Sequence, residues 1–238
     1  MSRWLPAVVI AVVMALAVGC GPRHNKEKKR GIYAAPKNAQ AAAWRWPGEK
    51  IEARDAGGVV AMRLRVRGSR IRAFGHKMVS LGDVRRAGDD YLLSDADGNR
   101  AFRVSRDGGD EAAADTWNVC TIARQAPAGE PSPPCEPTPS RLVGGDTVQI
   151  LHAGEVVAQA RSEGNGAMVE RKDDSFRLER RAADRFDVTD AGGGAGTIAG
   201  AQSAFVAAAI MADEVPPLVR AGFVVIVEDH HGKWSLSP

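Results

Sequence analysis

Four stretches of the chain share one alternation of apolar and polar positions, interrupted each time by a similar turn. They are IEARDAGGVVAMRLR from Ile51, YLLSDADGNRAFRVS from Tyr91, VQILHAGEVVAQARS from Val148 and FDVTDAGGGAGTIAG from Phe186. Alternation places every second side chain on one face of a strand, and Asp, Asn and Gly at the centre tolerate a tight hairpin turn. Each stretch therefore predicts two antiparallel strands, the third using His152-Ala153-Gly154-Glu155 in place of the Asp-Ala turn. Gly68-Ser69 and Asp173-Asp174-Ser175 mark two further hairpins. The turn spacing predicts roughly ten to twelve short strands in all. The recurring Asp55, Asp95 and Asp190 read as turn caps, because an Asp side chain bonds nearby backbone amides. DADGN at 95–99 lacks the ligand spacing and closing Glu of a calcium loop.

The pattern changes near the C-terminus. AQSAFVAAAIMADEV, residues 201–215, is Ala-rich and continuous, which predicts a helix from about Gln202 to Asp213. Pro216-Pro217 then open LVRAGFVVIVED, where Pro is acceptable in a first helical turn. Its β-branched run leaves helix and strand both open for 218–227. Asp213, Glu214, Arg220 and the prolines interrupt the apolar run, and charge at bilayer depth is costly, so burial in protein is expected.

The fold class expected is mainly β: an antiparallel, hairpin-built closed barrel with a buried hydrophobic C-terminal helical segment. Repeated turns followed by one apolar segment resemble, over residues 45–229, the tubby C-terminal-like superfamily, including scramblase and LURP-one-related proteins. The resemblance implies a closed barrel around a central hydrophobic helix. Some members bind phosphoinositides through basic surface residues; none of those residues can be mapped onto this chain.

At the N-terminus Arg3 precedes an apolar run over 4–18 that is too short to span a bilayer comfortably. Charge, apolar core and small residues in that order are the layout of a secretory signal peptide. Ala17-Val18-Gly19-Cys20 resembles a bacterial lipobox, with Ala17 where Leu is usual. The resemblance implies that Cys20 is the first mature residue, carrying diacylglycerol and an acylated (palmitate-type) amine, since several acyl chains anchor stably where one would not. Gly21 in place of the Asp that retains such proteins at the inner membrane implies the outer membrane, facing the periplasm. Residues 1–19 are thus read as signal peptide, 20–44 as a lipidated, flexible basic tether, and 45–238 as one β-rich domain. The tether reads as a spacer lifting the domain off the membrane; the alternative is attraction of its basic residues to anionic headgroups, at about 1 kcal/mol each.

Of the three cysteines, Cys120 and Cys135 remain. They flank the Pro-rich TIARQAPAGEPSPP, and in an oxidising compartment such a pair reads as a structural disulfide closing a loop at about 120–137. The spacing is too wide for a redox Cys-x-x-Cys pair. With 32 Lys and Arg against 29 Asp and Glu, net charge is +3, and the domain without its tether is almost balanced. That balance argues against strong lipid attraction.

No catalytic, cofactor or metal motif is present. His24, His76, His152, His230 and His231 show no helical metal spacing, and His230-His231 in EDHHGKW read as solvent-exposed. Asp89-Asp90 and Asp173-Asp174 fall at turns, and Asp190 to Gly194 lacks the context of a phosphate loop. The function expected is therefore that of a non-enzymatic, membrane-anchored envelope lipoprotein, structural or protein-binding, with no nucleic-acid partner. The alternative is a lipid- or phospholipid-headgroup-binding module of tubby-like type.

Overall fold

In the computed structural model the alternation closes on itself. The described residues are 49–97, 101–107, 115–122 and 135–234. The expected signal peptide, Cys20 and the tether lie outside them. The strands are β1 (Lys50–Asp55), β2 (Val60–Arg67), β3 (Arg70–Phe74), β4 (Ser80–Ala87), β5 (Asp90–Asp95), β6 (Ala101–Arg106) and β7 (Asp115–Ile122). They continue as β8 (Glu136–Gly144), β9 (Thr147–His152), β10 (Glu155–Glu163), β11 (Gly166–Arg171), β12 (Asp174–Ala182), β13 (Arg185–Asp190) and β14 (Gly193–Ala199). Each pairs antiparallel with the next, and β14 returns to β1 with Ala199 opposite Glu52, closing a fourteen-strand barrel.

The closed barrel matches the expectation; the count of ten to twelve strands is corrected to fourteen. The Asp-Ala-Gly turns are where predicted, but β3–β4 and β12–β13 turn without that signature. Pro137 and Pro139 in β8 also count against a strand on sequence, because Pro gives no N–H to a ladder. The structure accommodates them beyond the end of β9, which pairs with β8 only from Ser140 onward, and Pro137 opposes Cys120 beside a register shift. The sheet is one-sided there, so a missing donor is tolerated.

Inward positions are apolar and mostly small or β-branched, including Leu64, Ile71, Ala73, Val84, Leu93, Ile150, Ala160 and Val169. A wall of this many strands encloses more space than its own side chains can fill; barrels only slightly larger keep a water channel. Here two helices fill it. The helix predicted over 202–213 is shorter, α1 (Val206–Met211), and the segment left open is α2 (Pro217–Trp234), beginning at its proline. Val224 to Val227 are fully buried, so packing overrides their strand preference. Helix α2 is apolar on every side through this stretch, the mark of a helix enclosed by protein. At 1.5 Å per residue it is about 27 Å long, enough to run through the barrel.

Both ends are tied. At one, Asp213 accepts from Arg171 and Arg220, each at 2.6 Å, and Lys172 pairs with Glu214. At the other, the Glu228 carboxylate accepts the amides of Gln202 and Ser203 at 3.1 and 2.9 Å. There Tyr91 donates to Asp229 at 2.5 Å and Trp234 to Asp115 at 3.0 Å. Gly144 is required at this end, because a Cβ would overlap the Trp234 indole. His230 lies against Trp117 and stacks on Trp234 at 5.4 Å. The expectation that His230 and His231 are solvent-exposed is thus corrected: α2 continues through both, and each is half-buried.

Cys120 and Cys135 are bonded, with Cα atoms 5.4 Å apart. Closing a loop across a separation of 15 residues removes entropy from the unfolded chain worth roughly 3 kcal/mol. The double substitution Cys120→Ser/Cys135→Ser is expected to lower unfolding stability by that amount in a urea titration. A loss below about 0.5 kcal/mol would mean the bond staples nothing.

Candidate functional site

The outer wall is not uniform. On β10 to β13 charges are matched: Arg161 with Glu170 at 3.4 Å, Arg177 with Glu163 at 3.9 Å, and Arg181 with Asp187 at 2.7 Å. On β1 to β4 they are not. Lys50, Glu52 and Arg54 face outward from β1, Arg63, Arg65 and Arg67 from β2, Arg70 and Arg72 from β3, and Asp83 and Arg85 from β4, in register with one another. Eight cations thus share a face with two carboxylates. Lys50 opposes Arg65, Arg65 opposes Arg72, and Arg67 opposes Arg70. Like charges directly opposite on a sheet repel, at a cost of some tenths of a kcal/mol per pair. A fold under selection for stability alone would not keep three such pairs side by side.

The carboxylates anchor part of this face. Glu52, buried, receives Arg54 Nε at 2.7 Å and Arg63 Nε at 2.5 Å. Burial alone would raise its pKa, but the hydrogen bonds from Arg54 and Arg63 outweigh that and hold it below the usual range. Arg72 reaches Asp83 only at 3.6 Å. Arg65 and Arg67 make no ion pair among the described residues. Arg85 Nε is buried without a hydrogen-bond partner. Burial, then repulsion from Arg70, lowers the Arg85 pKa, only partly offset by Asp83. Guanidinium remains charged regardless; the donors open to an anion on this row are those of the exposed Arg65 and Arg67.

The same sector ends in an apolar edge. Val59 in the β1–β2 turn and Met78 and Val79 in the β3–β4 loop are three of the four large hydrophobic side chains exposed among the described residues, Val79 at 64%. The loop is held by Gly75 N–H to Val79 C=O at 2.8 Å and Met78 N–H to Gly75 C=O at 3.0 Å. Lys77 and Met78 are both left-handed, at φ 52° and 67°, a conformation costing about 1–2 kcal/mol per non-glycine residue.

A concavity opens beside the C-terminal part of α2. It measures about 470 Å³ and is lined by Ser162, Asn165, Arg180, Gln202, Ser203 and His231, among others. Behind it burial raises the Glu228 carboxyl, opposed by the amides of Ser203 and Gln202.

The residues singled out on sequence fall as follows. Asp55 caps its turn, accepting Val59 N–H at 2.8 Å, and Asp190 accepts Gly192 N–H at 2.8 Å. Cys120 and Cys135 are joined. His76 and His152 lie far apart in the chain, the first in a 3-10 turn, the second in β9. Sequence reasoning passed over Ser140, whose Oγ lies 2.9 Å from His152 Nδ1. At 1% exposure that hydroxyl is sealed from any substrate, and the pair ties β8 to β9. It also missed the arginine face, although the signal is legible: RLRVRGSRIR at 63–72 alternates Arg with apolar residues across a tight turn. No family model, curated protein or solved structure matches the chain.

Proposed function

We infer that this chain is a non-enzymatic envelope lipoprotein, anchored through Cys20 and facing the periplasm from the outer membrane, whose barrel is a binding module for anionic lipid headgroups. The observation that supports it is the unbalanced arginine face of β1 to β4. Near balance of the whole domain conceals this segregation, so overall charge is a poor guide to lipid attraction here. The filled interior also matters: α1 and α2 occupy the barrel with buried apolar side chains, so lipid is expected to meet the domain at its surface. Spanning is disfavoured, because a membrane barrel carries apolar residues outward and this one carries them inward.

Flotation of residues 31–238 with vesicles tests the reading. Binding to phosphatidylglycerol-containing vesicles is expected at low ionic strength, fading as the Debye length shortens to about 8 Å at 0.15 M. Failure to float at low salt rejects it. The anchor is tested separately: a clickable fatty acid should label the wild type and not Cys20→Ser, and equal labelling would end that assignment.

The other reading, a structural or protein-binding lipoprotein, is favoured by the polar groove beside His231 and Arg180. A groove variant that loses an envelope crosslink while retaining flotation would support it.

A further inference from the structure

The arginine face and the exposed apolar residues belong to one sector of the barrel. Strand β2 joins the β1–β2 turn to the face and packs against the 3-10 turn of the β3–β4 loop. Val59, Met78 and Val79 therefore crown the strands that carry Arg63, Arg65, Arg70 and Arg72. His76 and Lys77 sit in the same loop and are exposed. The fourth exposed hydrophobic, Val156, starts β10 on the opposite side of the barrel.

We propose that this sector is a membrane-inserting edge, in which Val59, Met78 and Val79 enter the interface of an anionic phospholipid bilayer while the arginines of β2 and β3 bind its phosphates. It rests on the headgroup-binding reading above and deepens it. Charge complementarity selects the occupant: a bilayer offers phosphates beside an apolar layer, which is the order of side chains along this sector. A protein partner would have to supply both, in that order, over several strands. The loop is built for the purpose. Its internal hydrogen bonds and two left-handed residues hold Met78 and Val79 outward without further ordering on contact, and long Arg side chains can reach headgroups while their stems lie on apolar surface. Insertion near the interface needs only a few such side chains once charge has brought the surface close.

The test uses the full chain as Cys20→Ser/Val79→Cys, in which the disulfide leaves one thiol for an environment-sensitive NBD label. It is reconstituted with vesicles of phosphatidylcholine alone or containing phosphatidylglycerol. With phosphatidylglycerol, emission at residue 79 is expected to shift to the blue, brighten severalfold and become quenchable by nitroxide lipid. A label at Val156→Cys should keep its aqueous emission. An aqueous signal at residue 79 in anionic vesicles, with flotation of the domain intact, overturns the insertion and leaves headgroup binding standing. Absence of flotation removes the reading beneath it, and the inference with it. Equal shifts at residues 79 and 156 also overturn it, since they report unspecific adsorption.

Discussion

Ala208→Asp is expected to cost about 4 kcal/mol or more, a large share of the margin that holds a domain folded. Ala208 lies in α1 with no exposed surface, as do Val206, Ala207 and Ala209. The helix touches β9, β10, β11 and α2. Two costs add at this position. The larger is removal of a carboxylate from water into an apolar interior; the protein would answer by protonating it or letting water in. The smaller is overpacking, because methyl side chains set how closely α1 approaches α2 and the wall, and three extra heavy atoms have no place. A fall in Tm of roughly 8–16 °C follows from the size scaling. Ala208→Gly, which adds no volume, should cost only about 1 kcal/mol of helix propensity. If Ala208→Asp melts with the wild type, α1 is not in the core and the plugged barrel is wrong.

What the sequence made legible follows from the range of the forces involved. Alternation in YLLSDADGNRAFRVS reports one strand and its nearest turn, and those hairpins are where the pattern puts them. Closure of β14 onto β1 is a contact between residues far apart in the chain, and no local pattern carries it. The run FVVIV illustrates the same limit from the other side. Its β-branched residues speak for a strand, and the enclosing wall decides for a helix. Burial of His230 and His231 was hidden for that reason: the tail looks polar, yet α2 carries it against Trp117 and Trp234. The arginine face was hidden differently. Each Arg of RLRVRGSRIR is ordinary by itself, and only the register, placing Arg65 against Arg72 and Arg67 against Arg70, turns them into an unbalanced surface.

That register gives the lipid-binding reading its sharpest consequence, because stability and binding should move in opposite directions. In Arg65→Glu/Arg67→Glu, residue 65 would face Arg72 and Lys50, and residue 67 would face Arg70, with opposite charge in place of like. Cross-strand pairs are worth about 0.2–1 kcal/mol each. The variant should therefore unfold about 1 kcal/mol later than the wild type, a rise in Tm of roughly 2–4 °C. Binding should collapse. Each basic residue near an anionic membrane contributes about 1 kcal/mol, and two reversals alter the charge by four, so affinity should fall by about 4 kcal/mol, on the order of a thousandfold. Arg181→Glu serves as control: it breaks the pairing with Glu179 and Asp187 on the balanced wall, so it should lose stability and leave flotation untouched. Destabilisation in the double variant would show that the like-charged pairs cost nothing, and unchanged flotation would show that the face does not meet lipid. Only a surface kept for an anionic partner accounts for a variant that is both more stable and unable to bind.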